Sequence, residues 1–471
     1  MNKKYGYLVK DTLVFAVGSF GSKLILFFLV PLYTNYMTTA EYGVADLVTS
    51  FSSLLMPITS LMISNAVIRF GMMKDERPED VAANSFIVNI FSIIFTFALI
   101  PIVGLYRTIG DWKWYLCVLV ILNDLSEIER TYLKVKNKNK TYALISILQT
   151  AILAGLNLYL LAFLHLGISG YLLSNICAVL FADIIAYFSA DLKRDLRKGH
   201  FDKKLLHRMI KYSSPLVFSN ISWWVISSSD KIMINLMISA SALGVYTAAT
   251  KIPSLINVII AVFNQAWSIS SIREIESTNE KSFYSSVFDL FSTVLFGASL
   301  FFIFIIKPFM SVYVGNEFFD AWKYATVLLA AAVFYSISAF VGTLYAAVNH
   351  TKNDMWTTIM CAAMNVCINY FGIKAVGTWG AVLGTSIAYF TIANVRIIDI
   401  KRYMSFDFNV KKYLMNAVIL ALESIAVPLE FYPYITSIIL IIIFALFNRK
   451  DITGIIRGLY SFIKRFDMRN R

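Results

Sequence analysis

The chain has 471 residues, 58% of them hydrophobic and only 15% charged, with 42 Lys and Arg against 29 Asp and Glu for a formal net charge of +13. Soluble domains carry about a quarter charged residues, so this composition, with a mean hydropathy of +0.67, excludes an ordinary soluble enzyme and points to a membrane protein. The four cysteines, Cys117, Cys177, Cys361 and Cys367, all fall in apolar stretches, which argues for inert buried thiols rather than a metal or haem site.

Taken in chain order, the apolar residues recur as separate runs, each near the ~20 residues that span a bilayer. About fourteen such runs are legible, at 11–36, 42–68, 81–105, 112–132, 141–165, 170–190, 212–238, 243–270, 282–306, 323–348, 353–373, 377–397, 411–429 and 433–447. The fourth, which ends in NDLSEIERTYLK, and the thirteenth, which holds Glu423 and Pro428, are the weakest. Residues 1–10 precede a run too long for a signal-peptide core and are read as leading into a retained first span.

The loops between these runs are charged unevenly. With a cytoplasmic N-terminus, the inner side holds Lys3, Lys4, Lys10, Arg69, Lys74, Arg77, the cluster from Arg130 to Lys140, the dense run Lys193–Lys211, the group Arg396–Lys412 and the tail after Arg449. The opposite side keeps only Arg107, Lys113, Lys307, Lys323 and Lys374. Basic loops stay inside, so both termini are expected in the cytoplasm. The asymmetry accounts for the positive charge with no nucleic-acid partner.

An internal repeat runs at an offset of about two hundred residues. AEYGVADLVTS (40–50) aligns with SALGVYTAATK (241–251), pairing Gly43 with Gly244, and GISGYLLSN (167–175) aligns with GTWGAVLGTS (377–386). The expected fold class is therefore an all-α polytopic membrane protein of about fourteen transmembrane helices, with two parallel six-helix lobes around a central cavity and a C-terminal helix pair. The expected domains are an N-terminal lobe at 1–190, a basic cytoplasmic linker at 191–211, a C-terminal lobe at 212–400, the extra helix pair at 401–448 and a basic amphipathic cytoplasmic tail at 449–471. The second half of the linker and the tail both alternate apolar and basic residues at helical spacing. Each is read as a helix lying on an anionic leaflet.

No catalytic signature is present. There is no G-x-x-x-x-G-K-[ST], and His165, His200, His207 and His350 are scattered without metal spacing, so neither an enzyme nor a metal or other cofactor is expected. What remains is polar stripes inside spans. In the eighth run Lys251, Ser254, Asn257, Asn264, Gln265 and Ser268 fall within a sector of about 140° at 100° per residue, with Pro253 predicting a kink beside Lys251. Lys23 lies in mid-span in the first run. The second run aligns Asp46, Thr49, Ser50 and Ser53, and the seventh carries Asn220, Ser227 and Lys231 on one face, with Asp230, Trp223 and Trp224 nearby. Hydroxyl stripes commonly mediate helix packing, and Asp230 and Lys231 also fit a structural pair or a snorkelling cation. Lys23 and Lys251 sit deeper, where an ammonium is costly unless it serves a polar cavity. Cations lining a cavity suit an anion such as a diphosphate.

At these residues the chain resembles the multidrug/oligosaccharidyl-lipid/polysaccharide (MOP) superfamily, specifically its polysaccharide transporter branch. The likeness rests on GSFGSKLILFFLVPLYTNYMTTAEYGVADL, on SSSDKIMINLMISASALGVYTAATKI and on the basic segments closing each half. It implies a flippase that carries undecaprenyl-diphosphate-linked oligosaccharides across the bacterial inner membrane by alternating access, for O-antigen, capsule or exopolysaccharide, with coupling to an ion gradient. It further implies Lys23, Lys251 and Lys231 as substrate-binding residues, Trp223, Trp224, Asn257, Asn264 and Gln265 for the sugar, and Asp46 or Asp230 for ion coupling. The partners it implies are the lipid-linked oligosaccharide, membrane lipids and the polymerase machinery of the same pathway. Two rivals stand beside it: an ion-coupled multidrug antiporter of the same superfamily, which would favour carboxylates over lysines in its cavity, and a membrane scaffold recruiting polysaccharide synthesis enzymes through the linker and tail.

Overall fold

Backbone removed from water must bond to itself, and each apolar run is helical over its described part. The computed structural model describes residues 21–254, 256, 260, 280–348, 350–404, 406–430, 432–454 and 457. Among them no strand occurs. The helices are α1 (21–36), α2 (Thr39–Thr59), α3 (Ile63–Gly71), α4 (Pro78–Val103), the short α5 (Arg107–Gly110), α6 (Lys113–Val135), α7 (Asn139–Asn157), α8 (Gly167–Ser189) and the short α9 (Leu192–Lys198). They continue with α10 (Lys203–Met237), α11 (240–254), α12 (Glu280–Tyr313), α13 (Ala321–Ala347), α14 (Thr351–Val376), α15 (Thr378–Ile400), α16 (Val410–Ala426) and α17 (Pro433–Phe447).

The chain is an all-α, multi-pass membrane protein, as its composition requires. Among the described residues seven helices are long and apolar enough to cross a bilayer, or eight if α2 and α3 count as one broken span. That is fewer than the fourteen runs read from hydropathy, and α6 and α16, the two weakest runs, are outside the set. α16 is only 17 residues long, and α6 carries buried Asp124 and Glu129, which make it less apolar while packing against protein.

Contacts divide the chain into two compact units: Met1–Ala248 with Val314–Phe318, and Ala249–Tyr313 with Phe319–Arg471. In the first unit, Ile63, Val67 and Phe70 of α3 pack with Val81 and Val88 of α4, Ile128 and Tyr132 of α6, and Ala182 and Ala186 of α8. Leu205 and Met209 of α10 complete that core. In the second unit α13 is the most enclosed helix, 78% buried over its apolar window, and carries Trp322, Phe340 and Tyr345 into the interior.

Two segments differ from the sequence reading. The run 42–68 is a broken helix, bent by 55° between α2 and α3. Leu61 and Met62 take positive φ, 50° and 53°, and Pro57 lies just ahead of the break. The hydroxyls of Thr59 and Ser60 return to the carbonyls of Leu55 and Met56 at 3.0 and 2.6 Å, offering the backbone partners other than the continuing helix. Thr59 also donates to buried Asp124 at 2.7 Å, which Ser92 of α4 joins, so three helices tie down the break.

The second difference is the linker. Its half at 203–211 is not a helix resting on a leaflet but the first three turns of the 35-residue α10. Asp202 caps it by accepting from Lys204 N at 2.7 Å and Leu205 N at 3.3 Å, and no helix breaker follows before Pro215. Of its apolar edge Leu205 and Met209 are buried, and Leu206 and Ile210 pack half-buried against the same core, so that edge faces protein.

Candidate functional site

Charge inside an apolar helix has to find its own partners, and in the first unit it does so where α2, α10 and α11 meet. Asp46 is buried about two turns inside the N-terminus of α2. Lys231 approaches it from the last third of α10: Nζ lies 2.6 Å from Asp46 Oδ2 and donates to Ser50 Oγ at 3.3 Å. Thr247 of α11 donates to the same carboxylate oxygen at 3.4 Å. The two charged side chains are only 15% and 8% exposed, so each depends on the other.

The approach of α2 and α11 requires glycine. A Cβ on Gly244 would lie 1.8 Å from the Thr39 carbonyl oxygen, and one on Gly43 would lie 2.4 Å from the Ala240 carbonyl oxygen. These are the two glycines that the internal repeat aligns, and the same offset of 201 residues relates Asp46 to Thr247. Repeat-equivalent residues therefore touch each other. The second aligned pair, Gly167 and Gly377, both take positive φ, 51° and 62°, at the turns into α8 and α15.

Around the ion pair the lining is amphipathic. Trp224, two turns before Lys231, donates Nε1–H to the Ser50 carbonyl at 2.7 Å and sets its ring against Phe51. Asn235, one turn after Lys231, donates to Tyr106 Oη and to Thr108 Oγ1 at 2.9 Å. Asp230 faces differently from its neighbour, accepting from the hydroxyl of Tyr246 and from the Lys231 backbone N–H at 2.8 Å. The cluster thus offers an ammonium, two carboxylates, hydroxyls and an indole inside otherwise apolar helices.

The sequence-derived site residues distribute as follows. Asp46, Lys231 and Trp224 come together, with Asp230 beside them, and Trp223 on the same helix is 40% exposed. Lys23 is exposed on α1 in the first unit. Lys251 is half-buried, three residues past the point where α11 passes from the first unit to the second. Pro253 lies in helix that continues to 254, and Asn257, Asn264 and Gln265 lie outside the described residues.

Two further charge clusters escaped the sequence reading. On α6 and α8, Glu129 and Asp183 are 1% and 4% exposed and lie close enough to interact with each other and with Arg130. In the second unit Arg396, counted above as a loop cation, is 1% exposed on α15. It pairs with Asp354 at 2.6 Å and donates to Thr357, Thr358 and the carbonyls of Ser338 and Asp354. A guanidinium with its fork of donors filled this way is a structural tie rather than a membrane-orienting charge. An isolated Arg within the apolar stretch IANVRIIDI was the signal available for it.

The fold has counterparts in known proteins. Over 93% of this chain and 100% of the other, the structure matches a lipid II flippase, MurJ, in an inward closed conformation, with a TM-score of 0.66 at 15% identity. It also matches a multidrug-resistance MATE transporter of the MOP superfamily in an inward-facing conformation (TM-score 0.63, 15% identity, 83% of this chain and 94% of that one). A MOP-superfamily transporter from Pyrococcus furiosus matches as well (TM-score 0.59, 14% identity, 88% and 96%). In sequence the chain is 22% identical to a protein of the Lsg locus of Haemophilus influenzae over 406 residues, 82% of this chain and 98% of that one. The family described as "Polysaccharide biosynthesis protein" matches residues 8–269. The polysaccharide side of the resemblance is thereby borne out, its fold is one shared with MOP-superfamily transporters, and the chain belongs to the polysaccharide biosynthesis protein family.

Proposed function

We propose that this protein is a flippase that moves undecaprenyl-diphosphate-linked oligosaccharide repeat units from the cytoplasmic to the outer leaflet of a bacterial inner membrane, for O-antigen, capsule or exopolysaccharide. Membership of a polysaccharide family supports the cargo class, and the distribution of Lys and Arg supports cytoplasmic termini. The observation that carries the reading is the Asp46–Lys231 pair with Ser50 and Thr247. An ammonium inside apolar helices is costly and marks a substrate or ion path by default, and here its carboxylate partner and flanking hydroxyls gather on three helices in one place.

In this proposal Lys23 and Lys251 hold the diphosphate as point charges, and Trp223, Trp224, Asn257, Asn264 and Gln265 meet the sugars by stacking and hydrogen bonding. Asp46 is the coupling group. A proton or cation arriving at its carboxylate weakens the ion pair and frees Lys231 for substrate, so that ion entry and cargo binding draw on one ammonium. Asp230, held by Tyr246, is the alternative coupling carboxylate. Contact with the polysaccharide polymerase belongs to the same proposal.

Replacing both Lys23 and Lys251 by Ala is expected to abolish export of surface polysaccharide while the protein still accumulates in the membrane. Full complementation by the double variant overturns the assignment. The likeness to a multidrug MATE transporter favours a second reading, an ion-coupled drug antiporter. In that case a deletion strain becomes drug-sensitive with its surface polysaccharide intact.

A further inference from the structure

The end of α8 carries a cavity that takes no part in the transport reading. It has a volume of about 360 Å³ and is lined by Phe188 and Asp191 together with Lys193, Arg194, Arg197 and Lys198. The four cations are all exposed, and none of them is ion-paired among the described residues. They share α9, which docks through Leu192, wholly buried, and Leu196 on the core of the first unit.

The carboxylates of this segment are occupied elsewhere. Asp195 turns inward to Lys136 Nζ at 2.6 Å and to the Tyr132 hydroxyl at 2.8 Å. Asp191 binds Lys138 Nζ at 3.2 Å, and that lysine also donates to the Ser189 carbonyl at 2.6 Å. The α6–α7 turn thus pairs each acid with a lysine of its own, and the four cations of α9 outnumber the one carboxylate, Asp191, that lines the cavity beside them. Its position fits a lipid. Helix α8 is long and apolar enough to cross the bilayer and ends at Ser189, so α9 begins within a few residues of the boundary between hydrocarbon and headgroups. Phe188, 68% exposed, lies in the last turn of α8 and adds an apolar ring to the lining of the cavity.

We propose that this cavity binds the phosphate headgroup of an anionic phospholipid from the bilayer that α8 crosses. A phosphodiester presents acceptor oxygens and one negative charge, which the Arg194 and Arg197 guanidiniums can grip as forks and the lysines as point charges. Basic recesses at the membrane face recognise anionic headgroups by this chemistry. The site is separate from the transported cargo, and its occupancy is readable without any transport.

The full chain, purified in detergent, is titrated with dioleoylphosphatidylglycerol or dioleoylphosphatidylcholine and followed by native mass spectrometry. Preferential retention of the anionic lipid is expected. Replacing Arg194 and Arg197 by Gln weakens it by roughly ten- to thirty-fold, the size expected from two near-surface cations. Lys193→Gln with Lys198→Gln is a second pair that asks the same question should the first misfold. Lys203→Gln with Lys204→Gln removes equal charge from an exposed neighbouring turn and leaves retention unchanged. Equal weakening by that control, or none by either cavity pair, overturns the site. Displacement of the lipid by inorganic phosphate at matched ionic strength assigns the cavity to free phosphate and overturns the lipid.

Discussion

An ammonium and a carboxylate set among apolar helices are each costly alone and tolerable together. For Asp46 and Lys231 this interdependence is measurable. Lys231→Met leaves a desolvated carboxylate and is expected to cost about 3 kcal/mol of stability, read as a lower melting temperature in detergent. Asp46→Leu combined with Lys231→Met removes both charges and should recover most of that loss. If the single variant melts with the native protein, the pair contributes nothing to stability. Neither residue announced its partner: they are 185 positions apart, and the stripe on α2 looked like ordinary hydroxyl packing. Arg396 shows the same limit from the other side, because hydropathy assigns a charge to a loop whenever it lies near the end of an apolar run.

Among the elements, the crossing of α2 and α11 is set by backbone meeting backbone. Gly244→Ala would put a methyl 1.8 Å from the Thr39 carbonyl oxygen, and a carbonyl held in a helix cannot move aside. The helices must separate, at a cost of about 3 kcal/mol, and polysaccharide export should fall with stability. Gly155→Ala on α7 is the contrast, since nothing lies within 4 Å of the new methyl. There the better helix propensity should leave the protein as stable or up to about 1 kcal/mol more so. A Gly244→Ala variant that melts with the native protein removes the argument for the close crossing.

The docking of α9 gives a pH-dependent test of another element. Burial pushes the Asp195 carboxyl up, but the hydrogen bonds from Lys136 and Tyr132 outweigh it and hold the group below the usual carboxylate range. A depressed carboxyl stabilises the folded form at every pH above its unfolded value near ~4, and the effect is lost as pH falls through the lower folded value. Protection of the amides across 192–198, taken relative to their intrinsic exchange rate at each pH, should therefore be constant from neutral pH down to about pH 5 and fall below about pH 4. Asp195→Asn should show the lowered protection already at neutral pH. Exchange in that variant matching the native rate would mean that Leu192 and Leu196 alone hold the helix.

For the whole molecule, fold class was legible because a bilayer constrains sequence harshly. Every segment away from water must be apolar and helical, so runs of ~20 apolar residues announce themselves in order. The special glycines were legible as well, since Gly43 and Gly244 meet backbone at close quarters and Gly167 and Gly377 take positive φ, demands that few other residues meet. How many of those runs cross the membrane was not, because buried carboxylates on α6 and α16 and a break after Ser60 alter a helix without altering its pattern. The continuity of the linker with α10 was also hidden: an amphipathic edge has the same spacing whether it lies on lipid or on protein, and only the core holding Leu205 and Met209 distinguishes them. Local chemistry thus dictated the helices, the charge asymmetry and the family. The joining of Asp46 to Lys231, and the pairing of Asp191 and Asp195 with lysines of the α6–α7 turn, arose only in three dimensions, because an ion pair depends on distance in space and the chain records distance only along itself.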